Sequence, residues 1–429
     1  MNIKIPWSQA IILFFVIILF VPMYWVTRGK TGSVNSLIEN RALATFPAFP
    51  LVDLKMGAKR VIQGKLLLAW QRAGEQFIPG TYQQYFEYGV SDQFPLRATW
   101  IQLMYGLERI MIRVIYSTQP DIAIPADMGR SGLYELLGKH FLFYPPRQVA
   151  QKQEYIDNTI LRYSELLDKY PDMNFYAYQV DGLDYSNANP LTSKIYWGEA
   201  NRSFEYFLQN KPEALITSRL HYRNLEEYLD YFFRTDHHWN IHGTLQGYED
   251  IYAMLAANYP EISPMISHDR FYVFPDIEFH GSLARFSLYR IRPGDIFEVA
   301  LLDLPPHKIF DSTGMELDLH HQADYLDGHY STEPFTDHYV EYYGADRDLI
   351  EYVYENGSER NLMIIGDSYA NAIESILAAH YHHTYSIDVR KYPYGKFNLA
   401  EFLEEHDVDD ILFIGGPDQT IRQSWMLIP

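Results

Sequence analysis

The chain has 429 residues, a formal net charge of −20 and no cysteine. At 47% hydrophobic and 21% charged it can build the core of one large or two ordinary domains, while disulfides, thiolate metal sites and a cysteine nucleophile are excluded. The acidic balance repels phosphate backbones and argues against nucleic acid as a partner, whereas neutral or cationic glycans are compatible with it. The 36 tyrosines suit carbohydrate contact and equally suit an aromatic core and rim.

From Ile5 to Thr27 there is no charged residue, a length that crosses a bilayer core. Trp7 at one end and Tyr24-Trp25 at the other fit interfacial belts. The run is too long for a signal-peptide core and no small-x-small cleavage site follows, so residues 1–27 read as an uncleaved signal anchor. Lys4 on one side and Arg28 with Lys30 on the other nearly balance, so charge does not orient it. Residues 28–118 read as a connector followed by a helical region. Pro47 and Pro50 favour extended backbone in the connector. Leu66, Leu67, Trp70 and Phe77 then approximate one helical stripe, and Trp100, Leu103, Leu107, Ile110 and Val114 another. Asp92 to Arg97 forms a turn between them.

From about residue 120 strands and helices alternate. The pattern predicts a helix over 147–169, a strand over Phe175–Val180 and a helix over 241–257. It then predicts a strand over Leu362–Ile365, a helix over Ala370–Ala379 and a buried strand over Ile411–Ile414. Such alternation predicts an α/β sandwich on a largely parallel sheet across residues 119–429. Residues 262–345, rich in aromatics, Asp, Pro and Gly, are expected to form a β-rich insertion over the site.

Two motifs carry chemistry. An apolar strand runs into Gly366-Asp367-Ser368, and a helix is expected to follow. Ser368 then sits at the carboxyl edge of the sheet, where open α/β folds place ligands. A helix N-terminus there would supply N–H groups for an oxyanion. The alternative is a serine that only caps the helix. The second motif is Asp236-His237-His238-Trp239. Asp236 is close enough to orient His238, which could take the Ser368 proton, and Trp239 could wall the site against water. The alternative is a helix cap by Thr235 or Asp236 with both histidines on the surface. Asp236, His237, His238 and His242 could also bind a metal, but no Asp-x-Asp cluster precedes them, so no metal and no other cofactor is expected. His320-His321, His380 and His382-His383 have no usable spacing and read as solvated loop residues.

With both motifs placed, the chain resembles the bacterial DHHW proteins, relatives of the alginate O-acetylation proteins in the SGNH hydrolase-like superfamily. The resemblance rests on Glu39-Asn40-Arg41-x-Leu43, Asp92-x-Phe94-Pro95-x-Arg97, Thr235 to Trp239, Gly281-Ser282, Gly366-Asp367-Ser368 and Ile387-Asp388-x-Arg390, in that order. It implies a membrane-tethered extracytoplasmic domain with an SGNH hydrolase-like three-layer sandwich and a helical cap. It also implies Asp236 and His238 acting with Ser368. Because His precedes Ser, the motif order would be permuted relative to typical SGNH hydrolases. Those enzymes add Gly and Asn donors to the oxyanion hole. Here Gly366, Asp367, Trp239 and Asn371 are the supporting candidates, with Asn398 a further amide. Tyr369 stands where relatives often carry Phe. The implied activity is O-acyl transfer or acyl-ester hydrolysis on a cell-surface polysaccharide. A transferase would need a multi-pass membrane partner to bring the acyl group across. The other reading is a catalytically silent glycan-binding or scaffolding protein of the same fold.

Overall fold

A computed structural model of the chain describes residues 35–36, 41–44, 88, 91–93, 96–117, 123–146, 153–192, 200–317, 321–392 and 397–416. The expected anchor over Ile5–Thr27, most of the connector, the stripe from Leu66 to Phe77 and residue His320 lie outside them. No helix among the described residues is long and apolar enough to cross a membrane. The chain divides into two compact units, residues 1–110 and 111–429.

In the first unit, strands β1 (Asn35–Ser36) and β2 (Arg41–Ala42) pair antiparallel. The Ala44 amide donates to Asp92 Oδ2 at 2.8 Å, and Gln93 returns a bond to the Ala44 carbonyl at 3.0 Å. Arg97 approaches Asp92 at 3.5 Å, compensating a carboxylate that is almost fully buried. Ala44, directly after the motif at 39–43, is therefore clasped to Asp92 and Gln93 of the motif at 92–97. Helix α1 (Arg97–Ile115) follows and runs past the division at residue 110, and its stripe of Trp100, Leu103, Leu107, Ile110 and Val114 is exposed.

The second unit begins with strands β3 (Ala123–Pro125), β4 (Tyr134–Leu136) and β5 (Phe141–Phe143), a small antiparallel sheet. Helix α2 (Gln153–Lys169), β6 (Asn174–Gln179), α3 (Ala200–Asn210), β7 (Leu215–Arg219), α4 (Leu225–Tyr231) and α5 (Ile241–Asn258) come next. The interval 262–345 is mixed rather than β-rich. Its described residues hold one hairpin, β8 (His268–Phe279) with β9 (Asp295–Leu302), and the short helices α6 (Ser282–Ser287), α7 (His321–Leu326) and α8 (His338–Tyr343). Its remaining strand, β10 (His307–Asp311), leaves the insertion to extend the main sheet. The chain continues through β11 (Leu349–Tyr354), β12 (Asn361–Gly366), α9 (Glu374–Ala378), β13 (His383–Ile387), α10 (Leu399–Glu405) and β14 (Asp410–Gly415).

Seven strands form the main sheet in the order β10-β11-β13-β12-β14-β6-β7. Pairings from β13 to β7 are parallel, and β11 and β10 add antiparallel at one edge. The inner strands are apolar on both faces, as parallel strands covered on two sides must be. Alternation divides their side chains between two cores. Tyr176, Tyr178, Leu362, Ile364, Leu412 and Ile414 pack against Tyr248, Ile251 and Leu255 of α5 and Ile376 and Leu377 of α9. Phe175, Ala177, Met363, Ile365, Ile411 and Phe413 pack against Ile156 and Tyr163 of α2, Phe207 of α3 and Leu399 and Leu403 of α10. This mixed α/β arrangement, helices on both faces of a mostly parallel sheet, is consistent with an SGNH-like fold.

The chain leaves β12 for β13 on one side, then returns across β12 to β14 on the other. That reversal opens a crevice at the carboxyl end of β12, the place where such sheets bind ligands. Ser368 is two residues beyond that end.

Candidate active site

The loop 232–240 is held from both ends. Phe232 bridges Trp239 in antiparallel fashion, and Asn240 caps α5 by accepting from the amides of His242 and Gly243. The cap of α5 is thus Asn240 rather than Thr235 or Asp236, whose side chains turn inward and are buried. Asp295, at the start of β9, anchors the loop. Its Oδ2 accepts from the Thr235 amide and hydroxyl at 2.7 and 2.6 Å, and its Oδ1 from the Arg234 amide and Nε at 3.0 Å. Burial pushes the Asp295 pKa up against these donors.

Within this frame the three groups expected from sequence meet. His238 Nε2 lies 2.7 Å from Ser368 Oγ, and His238 Nδ1 lies 2.6 Å from Asp236 Oδ1. The His238 amide also donates to Asp236 Oδ1 at 2.9 Å. Asp236 Oδ2 accepts from the Ser282 amide at 2.5 Å. Burial pushes the Asp236 carboxyl up, but the facing His238 and His237 and the Ser282 amide outweigh it and hold its pKa far below the usual carboxylate range. An ionised Asp236 fixes the proton on His238 Nδ1 and leaves Nε2 as the acceptor for the Ser368 hydroxyl. Ser368 therefore does not cap a helix. A 3₁₀ turn over Ala370–Ala372 and the five-residue α9 replace the expected helix over Ala370–Ala379. No long helix N-terminus stands behind the nucleophile, so the expected dipole contribution is lost. The Ser368 amide donates to no acceptor among the described residues and is available to an oxyanion.

The neighbouring motif residues shape the turn. A Cβ on Gly366 would stand 2.6 Å from that of Ala370 and 3.1 Å from Ile414 Cγ2, so only glycine lets the turn close over β14. Asp367 accepts from the Tyr369 amide at 3.1 Å and the Gly416 amide at 3.3 Å, tying the ends of β12 and β14 together. Loss of solvent pushes its pKa up. Trp239 is fully buried, lies over Gly247 of α5 and meets Tyr369 edge-on at 5.9 Å, so it supports the site from below instead of walling it. Asn371 donates to the Gly344 carbonyl at 3.2 Å and Asp346 Oδ1 at 3.1 Å. Arg390 joins the same network through Asp346 at 3.0 Å and Asp388 at 2.7 Å. Asn371 therefore braces the end of β13 and is not an oxyanion donor, and Asn398 only caps α10.

Three contributions were not legible in the sequence. The Tyr339 ring stacks on His238 at 3.9 Å and 3°, and its hydroxyl donates to the Ser368 carbonyl at 3.1 Å. Tyr369 donates its hydroxyl to the His237 carbonyl at 2.9 Å, crossing the 132 residues between the motifs. Gly281, named in the sequence only as part of a motif, presses against Asp236. A Cβ there would fall 2.1 Å from Oδ2. Tyr369 was noted in the sequence only for standing where relatives often carry Phe, and aromatic residues are so frequent in this chain that Tyr339 carries no distinguishing local signal.

The remaining histidines divide. His237 Nδ1 lies 2.6 Å from Ser282 Oγ, and His242 pairs with Glu298 at 3.1 Å. Donor atoms of Asp236, His237 and His238 fall within 4.8 Å of one another, the spacing of a possible metal group. His242 is not part of that group, and the Asp236 and His238 atoms facing each other are already bonded together. His380 is not a solvated loop residue. It is fully buried between Tyr248 and Ser263, with 2.7 Å bonds to each, and burial lowers its pKa to about 4. His382 bonds the Tyr354 carbonyl and His383 pairs with Glu351.

Beside the serine lies a cavity of about 410 Å³ lined by residues that include Leu183, Asp184, Tyr185, Tyr228, His237 and Phe286.

No protein-family model and no curated protein sequence matches the chain. Solved structures do. A DHHW family protein from Eubacterium siraeum superposes with a TM-score of 0.52 at 17% identity, over 69% of this chain and 93% of that one. PatB1 of Bacillus cereus, solved with a sulfonyl adduct, superposes with a TM-score of 0.50 at 18% identity, over 67% of this chain and 94% of that one. The architecture is thus shared with a DHHW family protein, as the motifs indicated.

Proposed function

We propose that the protein is a serine-dependent O-acyltransferase or acylesterase acting on a cell-surface polysaccharide. The observation that carries this reading is the continuous hydrogen-bonded chain Ser368–His238–Asp236 at the carboxyl edge of the sheet. Ser368 gives its proton to His238 Nε2 and its Oγ attacks the ester carbonyl carbon. The Ser368 amide faces the oxyanion. The carbonyl reforms as the bond to the alcohol oxygen breaks, and that oxygen takes the proton back from the imidazolium. Asp236 stabilises the imidazolium without itself being protonated. A second hydroxyl, from water or a sugar, then loses its proton to His238, attacks the acyl carbon and releases Ser368, which recovers that proton. Water gives hydrolysis and a sugar gives transfer.

The fold likeness to the DHHW protein and to PatB1 supports placing this chemistry at this sheet edge. The uncharged run Ile5–Thr27 supports a membrane tether, the resemblance to DHHW proteins supports an extracytoplasmic body, and transfer would require a multi-pass membrane partner that delivers the acyl group. The test is labelling with a fluorophosphonate. The wild-type protein is expected to label, Ser368→Ala not at all, and His238→Ala at least about 10³-fold more slowly. A folded wild-type protein that never labels refutes the proposal.

A further inference from the structure

Helix α1 turns an apolar face to solvent. Trp100, Leu103, Leu107, Ile110, Met111 and Val114 are each 51–67% exposed. At 100° per residue these six share one arc of about 100°. Arg109 and Ile112, on the opposite arc, are buried. Nine of the twenty large apolar side chains exposed among the described residues fall between Leu96 and Ile115, so this is a patch and not scatter. No exposed position of α1 is acidic. The helix carries three arginines against one glutamate, a net charge of +2, in a chain whose net charge is −20.

We infer that α1 lies on a lipid bilayer, parallel to its surface, with the apolar stripe sunk into the interface between headgroups and acyl chains. The inference rests on the membrane tether proposed above, since the uncharged run Ile5–Thr27 of the same chain keeps a bilayer within reach. No helix among the described residues is long and apolar enough to cross a membrane, so α1 lies on the surface and does not span it. A basic helix with an apolar face is the composition that anionic lipid holds, through buried apolar area together with charge. Trp100 suits the headgroup level. A second copy of the helix fits less well. The spacing of 100, 103, 107, 110 and 114 is a heptad, but the flanking positions are Met104 and Met111 on one side and Gly106 and Arg113 on the other. They offer no opposite charges to fix the register of a helix pair.

The chain has no cysteine, so one introduced thiol reports one position. The test places a nitroxide on Leu107→Cys, in the stripe, or on Gln102→Cys, exposed outside it, in the full chain reconstituted into vesicles of phosphatidylcholine and phosphatidylglycerol. Power saturation then compares collisions with oxygen, which enters lipid, and with a nickel chelate, which stays in water. The oxygen-to-nickel ratio is expected to be about fivefold or more higher at 107 than at 102. Adding Leu103→Gln and Ile110→Gln to the Leu107→Cys chain is expected to lower the ratio at 107 to that at 102 while the chain stays with the vesicles and unfolds cooperatively. Equal ratios at the two positions overturn the inference. So does a label at 107 shielded from both reagents, which would mean that protein covers the stripe, whether a second copy or another segment of the chain. A ratio at 107 that ignores the glutamines overturns it as well. Extraction of the wild-type chain by alkaline carbonate overturns the tether instead, and the ratio at 107 before extraction still decides the helix.

Discussion

Gly281→Ala should disable the proposed nucleophile without touching it. The Gly281 backbone lies at φ −73° and ψ −162°, a conformation open to any residue, so the effect is not one of strain in the chain. It is one of space. The added methyl would fall 2.1 Å from Asp236 Oδ2, 2.3 Å from its Cβ and 2.5 Å from its Cγ. Contacts that short are not tolerated between real atoms, so either α6 or the carboxylate must retreat. Asp236 is pinned by the His238 amide and ring, and α6 by the bond from the Ala284 amide to the Thr235 carbonyl. Overpacking of this kind costs about 1–3 kcal/mol of stability. The catalytic cost should be larger, because a displaced carboxylate no longer fixes the His238 tautomer, a role worth up to about 10⁴-fold in kcat. We expect fluorophosphonate labelling and ester turnover to fall at least about 10²-fold while thermal unfolding stays cooperative and Tm drops by only a few degrees. Asp236→Asn should give a comparable loss of rate with little loss of packing. A folded Gly281→Ala protein that labels at the wild-type rate would refute the claim that Asp236 orientation drives the chemistry.

Further outcomes follow from the same geometry. Tyr339→Ala removes the ring stacked on His238 and should slow labelling about tenfold or more, whereas Tyr339→Phe, which keeps the ring and loses the hydroxyl's bond to the Ser368 carbonyl, should cost about 1 kcal/mol in stability; equal labelling rates in wild type and Tyr339→Ala would remove this tyrosine from the site. Prolonged chelation with EDTA should leave labelling unchanged, since the facing atoms of Asp236 and His238 serve each other; activity restored only by added metal would assign the Asp236, His237 and His238 group to an ion instead. Buried His380 has its pKa lowered from the ordinary 6.5 to about 4, so between those values the unfolded chain binds more protons than the folded one. Stability should therefore fall as pH drops from about 6.5 to 4, by at most about 3 kcal/mol from this residue, and His380→Gln should flatten that part of the profile. Asp236 also has a lowered pKa, so the sign is the same but the window is more acidic: its contribution to stability is complete above the usual carboxylate range and is lost only as pH falls below that range.

Much of the architecture was written locally. Near-continuous apolar runs such as Leu362–Ile365 and Ile411–Ile414 announce strands buried on both faces, and the 3.6-residue period over 241–257 announces α5. Residue chemistry likewise singled out Asp236, His238 and Ser368, because few side-chain combinations activate a hydroxyl near neutral pH. What local pattern could not give was the closing of distances. Ser368 and His238 are 130 residues apart in the chain, and the 2.7 Å bond between them depends on sheet order and on the loop anchored by Asp295. The same tertiary constraints turned Asn371 toward Asp346, buried His380 and shortened the helix after Ser368. They also brought Tyr339 onto the imidazole from a segment whose sequence reads as one more aromatic stretch. Periodicity records which face of an element avoids water, a property of neighbours in the chain. Hydrogen-bond geometry at tenths of an ångström is a property of neighbours in space, and only the folded core fixes those.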